Sequence, residues 1–365
     1  MIDTQPQVNQ SLIFERMANM KHEQLVFCND EATGLKAIIA IHNTILGPAM
    51  GGTRMWNYAS EEEAVLDALR LARGMTFKSA IAGLNIGGGK AVIIGDARKQ
   101  KNEALMRRFG RFVDSLGGRY WTAEDVNMST RDMEYVRMET PYVTGMPESL
   151  GGSGDPSPVT AYGVYMGMKA AAKKVYGSES LSGKKVLVQG AGHVGTYLID
   201  YLDKENADVL ISDIFDDKIE AITKKYTVEV IDPDKVYSTD MDIYAPCALG
   251  ATLNDETIPQ LKCAIVAGGA NNQLDKESVH AAQLKEQGIL YAPDFLINSG
   301  GITNVYYEQQ GNYNREKVYV QTEVIYEVLT NVINHSEKEK ITTHQAALEL
   351  ALKRIDQMGR IKLPY

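Results

Sequence analysis

One stretch constrains the fold more than any other. The apolar run Lys184-Lys185-Val186-Leu187-Val188-Gln189 meets Gly190-Ala191-Gly192-His193-Val194-Gly195, then Thr196-Tyr197-Leu198-Ile199-Asp200-Tyr201-Leu202. A strand must give way to a helix within one turn, with glycine at the first, third and sixth positions. A GxGxxG alone is a weak signal, but between a strand and a helix it is specific. The first glycine makes the tight turn and the second lets backbone approach a pyrophosphate. The third packs helix against strand, and the helix N-terminus faces the phosphate charge. Asp213 ends the next strand, about 20 residues on, where a carboxylate accepts hydrogen bonds from the adenine ribose. It would repel a 2′-phosphate, so the pattern favours NAD over NADP. Asp216 and Asp217 follow closely and could share that role. The plainer alternative is an ordinary strand-to-helix turn with a solvated aspartate.

The segments after the motif repeat the same rhythm. DVLISD (208–213), a helical stretch at 216–226, TVEVI (227–231), IYAPCAL (243–249), CAIVAGG (263–269) and ILYAPD (289–294) predict an open parallel sheet covered by helices. Upstream, residues 36–46 read as a buried strand. Ser60 to Glu63 is a capping-box pattern opening a helix with Val65, Leu66, Leu69 and Ala72 at helical spacing. Gly83 to Gly89 breaks the pattern, Ala91 to Ile94 returns to strand, and 102–116 reads as a helix closed by Gly117. GGSGDPSP (151–158) cannot hold regular structure and marks a boundary, followed by a helix at about 159–175. Two further helices follow, at about 319–336 and 342–358. The expected class is α/β in two domains, the second of Rossmann type.

The 365 residues carry 38 basic and 47 acidic side chains, a net charge of −9, which disfavours nucleic acid as a partner. Cys28, Cys247 and Cys263 lie far apart at no metal-ligand spacing, so no metal is expected and reduced thiols are. MIDTQPQVNQ has no signal-peptide pattern, and no stretch reaches the roughly 18 apolar residues of a membrane span. The expectation is a cytoplasmic protein without a membrane partner.

The 32 glycines cluster in pairs and triplets without a repeat period. Lys78 and Lys90 sit among them, in GMTFKSAIAGLNIGGGKAVIIGD (74–96), an odd setting for two ammonium groups. A lysine tuned toward neutrality by burial or a neighbouring cation can act as a general base, and one that stays charged can hold a carboxylate. Gly87-Gly88-Gly89 is expected to clear space beside Lys90. Asp125 follows Tyr120-Trp121; it could shuttle a proton, orient a lysine, or simply cap the helix expected at 130–139.

At these residues the chain resembles the Glu/Leu/Phe/Val dehydrogenase family, most closely its leucine-type branch. The resemblance covers GPAMGGTRMW (47–56), MTFKSA (75–80), LNIGGGKAVIIGD (84–96), AEDVN (123–127), SGDPSPVTAYGV (153–164), AGGANNQL (267–274) and INSGGITNV (297–305). It implies a substrate domain, 1–145 plus 340–365, and a Rossmann-type NAD domain, 146–339, separated by a cleft, and it implies reversible, NAD-dependent oxidative deamination of an L-amino acid to a 2-oxo acid and ammonia. It implies that Lys90 is the general base that activates water and that Lys78 binds the substrate carboxylate with backbone at Gly51 and Gly52. Asp125 would exchange a proton with the amino group, and Thr160 and Asn271 would hold the nicotinamide end. The implied side-chain pocket is Met50, Ala123, Ile302 and Val305, apolar throughout and suited to leucine, valine and isoleucine. Met50 stands where leucine-type members usually carry leucine; it is flexible and keeps phenylalanine or tryptophan open as substrates. Gly268-Gly269 and Gly300-Gly301 are expected to end strands at the cleft. A homo-oligomer is implied, octamers being typical of the leucine branch. An inactive NAD-binding sensor would have lost Lys78, Lys90 or Asp125, and all three are present.

Overall fold

The computed structural model describes residues 13–361. The described residues divide into two units, one of 13–79, 85–150 and 361, the other of 80–84 and 151–360. In the first, the elements run α1 (Ile13–Met20), β1 (Gln24–Asp30), β2 (Leu35–Asn43), β3 (Ala49–Met50), β4 (Thr53–Trp56), α2 (Glu61–Ile81, whose last two residues group with the second unit), β5 (Gly87–Ile94), α3 (Ala97–Gln100), α4 (Glu103–Asp114), β6 (Tyr120–Trp121) and α5 (Thr130–Arg137). The sheet order is β1-β2-β5-β3-β6, with β4 also on β5. β2 is antiparallel to both β1 and β5, whereas β3 and β4 lie parallel to β5.

Alternation along β2 and β5 explains why both read as continuous apolar runs. Ile38, Ala40 and Val92 pack under Ala64, Val65, Ala68, Leu69 and Ala72 of α2. Ile39, Ile41, Ala91 and Ile93 pack against Leu105, Met106, Phe109 and Val113 of α4 on the other face. Leu66 points away and is 39% exposed. The α2 cap is a variant of the expected box: Glu63 N–H donates to Ser60 Oγ at 3.1 Å, while the Glu63 carboxylate accepts from Ala59 N–H at 2.8 Å.

The expected break at Gly87-Gly88-Gly89 is instead the start of β5. A Cβ at Gly88 would stand 2.1 Å from Thr76 N, and one at Gly89 2.8 Å from the Tyr120 ring. The run lets backbone, helix and ring close on the strand; it clears no space for a substrate.

The second unit contains α6 (Ser157–Tyr176), β7 (Lys185–Gln189), α7 (His193–Lys204), β8 (Asp208–Ser212), α8 (Asp216–Thr223), β9 (Glu229–Val230), β10 (Ile243–Pro246), β11 (Ile265–Val266), α9 (Glu277–Glu286), β12 (Leu290–Tyr291), α10 (Asp294–Ile297), α11 (Gly300–Gln309), α12 (Arg315–Glu339) and α13 (Thr343–Ile361). Its sheet is parallel throughout, in the order β12-β11-β10-β7-β8-β9. The chain reverses direction across the sheet between β7 and β10, the place where open α/β sheets take ligands. Residues 340–360, which the resemblance assigns to the first domain, group with this unit. There Arg354 of α13 donates to the carbonyls of Leu84 at 2.7 Å and Gly83 at 3.0 Å. Gly300-Gly301 opens α11 and ends no strand; a Cβ at Gly300 would lie 2.1 Å from Val159 O of α6. The three cysteines are unpaired; Cys28 and Cys263 are buried and Cys247 is half-buried. Among the described residues no helix is long and apolar enough to cross a membrane.

Candidate active site

In the first unit, the charged chemistry gathers around Lys90. Its place in β5, between Gly89 and Ala91, leaves it 5% exposed. Strand alternation puts it on the α2 face with Gly88 and Val92. A buried ammonium needs a partner, and Asp125 Oδ2 lies 3.0 Å from Lys90 Nζ. Asp125 sits in the loop after β6, and β4 holds that loop in place. Thr53 N–H donates to Ala123 O at 2.8 Å, Met55 N–H to Val126 O at 3.1 Å, and Asn127 Nδ2 to Met55 O at 3.0 Å. Asp125 does not cap α5. Ser129 does, in a reciprocal box with Asp132.

Arg54 Nε also reaches Asp125 Oδ2 at 3.0 Å. Burial alone would raise the Asp125 pKa, but the Lys90 and Arg54 charges outweigh it and hold the carboxyl down at about 2. Asp125 is therefore ionised across any physiological pH. Beneath it, Tyr120 is fully buried and donates to Gly51 O at 2.6 Å. Burial pushes its hydroxyl far above the ordinary range, so it serves as a neutral donor.

Gly51 and Gly52 lie between β3 and β4. A Cβ at Gly51 would strike Gly89 O at 1.7 Å, and one at Gly52 would strike Glu124 O at 2.5 Å. Gly51 N–H already donates to Trp121 O at 3.1 Å, and so is not free to bind a carboxylate. Met50 is buried in β3 opposite Trp121, and Ala123 is half-buried. Lys78 is half-buried in the last turn of α2.

In the second unit the three glycines of the turn differ in their surroundings. Gly190 has φ +113°, and a Cβ there would press on Ala248 at 2.8 Å. A Cβ at Gly195 would lie 2.0 Å from Gly190 O, whereas Gly192 faces open space within 4 Å. Ala191 N–H donates to Asp213 Oδ2 at 2.7 Å, and Phe215 N–H to Asp213 Oδ1 at 3.0 Å. Asp213 is thus the carboxylate on the glycine turn, while Asp216 and Asp217 are exposed in the first turn of α8. His193 and Val194 open α7. Thr160 Oγ1 donates to Pro156 O at 3.0 Å and lies where a Cβ at Gly301 would meet it at 2.8 Å. Asn271 is exposed and its Oδ1 accepts from Asn298 Nδ2 at 2.9 Å. Ile302 and Val305 are buried on α11.

Family models agree with this arrangement. Residues 22–142 match the Glu/Leu/Phe/Val dehydrogenase dimerisation domain, and residues 151–216 and 213–361 match the glutamate/leucine/phenylalanine/valine dehydrogenase model. The chain belongs to the Glu/Leu/Phe/Val dehydrogenase family. It is 54% identical over 353 residues to leucine dehydrogenase of Bacillus subtilis, covering 97% of this chain and 96% of that one. It is 46% identical over 349 residues to phenylalanine dehydrogenase of Lysinibacillus sphaericus, covering 94% and 91%. The crystal structure of L-tryptophan dehydrogenase from Nostoc punctiforme superposes with a TM-score of 0.84 at 45% identity, covering 95% of this chain and 99% of that one.

This amino acid dehydrogenase has a nucleotide-binding unit that fits a nicotinamide dinucleotide. Gly192 leaves open space where a Cβ would stand, so a phosphate can approach its backbone, and the α7 N-terminus has no side-chain cap competing for its N–H groups. The residue that sequence reading missed in this dehydrogenase is Arg54. It lay inside GGTRMW as a cation between buried Thr53 and Met55. That setting was its signal, the same one that singled out Lys90.

Proposed function

We propose that this dehydrogenase carries out NAD-dependent, reversible oxidative deamination of L-leucine, L-valine and L-isoleucine to the 2-oxo acids and ammonia. The observation that carries the reading is the buried Lys90 held 3.0 Å from an ionised Asp125. Gly190, Ala191, Gly192, His193, Val194 and Gly195 would hold the NAD pyrophosphate, Asp213 the adenine ribose, and Thr160 and Asn271 the nicotinamide end. When bound, NAD supplies two-electron oxidation at the substrate's Cα–N bond. The chain's own residues do the rest. Lys78 pairs with the substrate carboxylate, with Gly52 beside it. Asp125 takes and returns a proton at the amino nitrogen. Lys90, once its Nζ is neutral, takes a proton from the water that hydrolyses the oxidised C=N bond. Met50, Ala123, Ile302 and Val305 offer only apolar surface, so an anionic side chain would lose its hydration without a partner.

The similarity to phenylalanine and tryptophan dehydrogenases, together with flexible Met50, supports a second reading in which the same chemistry acts on a larger apolar amino acid. The dimerisation-domain match supports a homo-oligomer, for which we propose the octamer typical of the leucine branch. NADH formation with a panel of L-amino acids tests the substrate: leucine, valine and isoleucine should turn over best, and no turnover of any of them refutes the first reading. Lys90→Ala should abolish turnover while NADH still binds. Near-wild-type turnover in that variant would show that Lys90 is not the base.

A further inference from the structure

The Asp125 carboxylate has two cationic partners, and they differ in kind. Lys90 Nζ and Arg54 Nε each lie 3.0 Å from the same oxygen, Oδ2, so the two nitrogens are at most about 6 Å apart. A lysine can lose its charge; an arginine in a protein does not. Arg54 is itself held from behind. Its Nη1 pairs with Asp67 Oδ2 at 3.1 Å, and that carboxylate also accepts from Tyr58 OH at 2.7 Å and from Arg70 Nη2 at 3.2 Å. The guanidinium therefore bridges a carboxylate anchored on α2 to one carried by the loop after β6. Its own side chain is only 22% exposed.

We propose that Arg54 is a positioning residue for the reaction: it is the permanent counter-charge that keeps Asp125 ionised and in place when Lys90 becomes neutral. This rests on the reading of Lys90 as base and Asp125 as proton carrier. The physical need is plain. If Lys90 were the sole partner, its deprotonation would leave a mostly buried carboxylate uncompensated, which is strongly disfavoured. The ion pair would then hold the lysine proton in place. A second, fixed cation separates the two events. It stabilises the anion by itself, and its charge favours release of the proton from Lys90.

Neutral variants test this. Arg54→Met removes a cation within about 6 Å of Lys90, so the lysine should hold its proton more tightly. For charges this close, the ascending limb of the kcat/KM profile should move up by about one to two pH units. Below the limb that is about a tenfold to hundredfold loss. Arg54→Gln gives a second neutral side chain should the methionine variant unfold. Arg54→Lys keeps the charge without the two-armed fork, so it should restore the limb while kcat stays reduced. A merely structural arginine would lower the rate equally at every pH. Each variant is assayed with NAD and the best amino acid of the substrate panel, after tryptophan fluorescence and NADH binding show that it is folded. An unshifted limb in both neutral variants overturns the inference. Lys90→Ala and Asp125→Asn run alongside. If they abolish turnover and the limb does not move, Arg54 alone has been misassigned. If they retain turnover, the reading of the site fails and the inference falls with it.

Discussion

Gly88→Ala adds one methyl group, and the structure says where it must go. Its Cβ would stand 2.1 Å from Thr76 N, 2.3 Å from Thr76 Oγ1 and 2.6 Å from Ala72 O. Carbon contacts relax only near about 3.5–4 Å, so β5 and α2 would have to part by more than an ångström. Neither can give way cheaply. Gly88 is paired with Asn43 of β2 on one side and Met50 of β3 on the other, and the clashing atoms of α2 are mostly backbone. Overpacking costs about 1–3 kcal/mol when side chains can adjust; here the upper end, about 3 kcal/mol, is expected. The assay is unusually clean because both tryptophans, Trp56 and Trp121, lie in the first unit. Their fluorescence reports its unfolding in urea. With a slope of about 2 kcal/mol/M the midpoint should fall by about 1.5 M. Thr76 lies two residues from Lys78 and Gly88 two from Lys90, so KM for the amino acid should rise while NADH affinity holds. A midpoint within about 0.3 M of wild type would refute the argument that the glycine run exists for close packing.

Gly192→Ala is the matching contrast. Its Cβ meets nothing within 4 Å, so stability should hold within about 0.5 kcal/mol; NADH affinity, read by fluorescence titration, should drop at least tenfold, and unchanged affinity would remove Gly192 from the cofactor cradle. His42 gives a pH prediction. Its Nδ1 sits 2.7 Å from Thr76 Oγ1 and its Nε2 2.9 Å from Met20 O; burial foremost, with His22 and Arg73 nearby, lowers its pKa from 6.5 to about 4. The folded chain keeps this ring neutral while the unfolded chain takes up a proton below pH 6.5. Stability should therefore fall as pH drops from about 6.5 to 4, by about 3 kcal/mol in total. Tryptophan-monitored urea unfolding across that range should show the slope, and His42→Gln should flatten it; an equal slope in the variant would assign it to other groups.

The sequence by itself determined what is encoded locally. The glycine spacing after β7 set the turn, apolar runs marked β2, β5 and the parallel strands, and Ser60 and Asn102 announced their helices, because turn sterics, strand alternation and capping act over a few residues. Lys78 and Lys90 stood out for the same reason, as charges in apolar company, and Asp125 by following the aromatic pair Tyr120-Trp121. Long-range pairing was not legible. Arg54 and Asp125 are 71 residues apart, and nothing in either segment names the other. The choice between Asp125 as helix cap and as ion-pair partner depended on Ser129 taking the cap and on β4 holding the loop beside Lys90. The purpose of Gly87-Gly88-Gly89 was likewise decided by what lay across the packing, Thr76 and Tyr120, and not by the lysine next to it. An ion pair or a close backbone contact is a property of two distant segments at once, and only the folded chain brings both into one place.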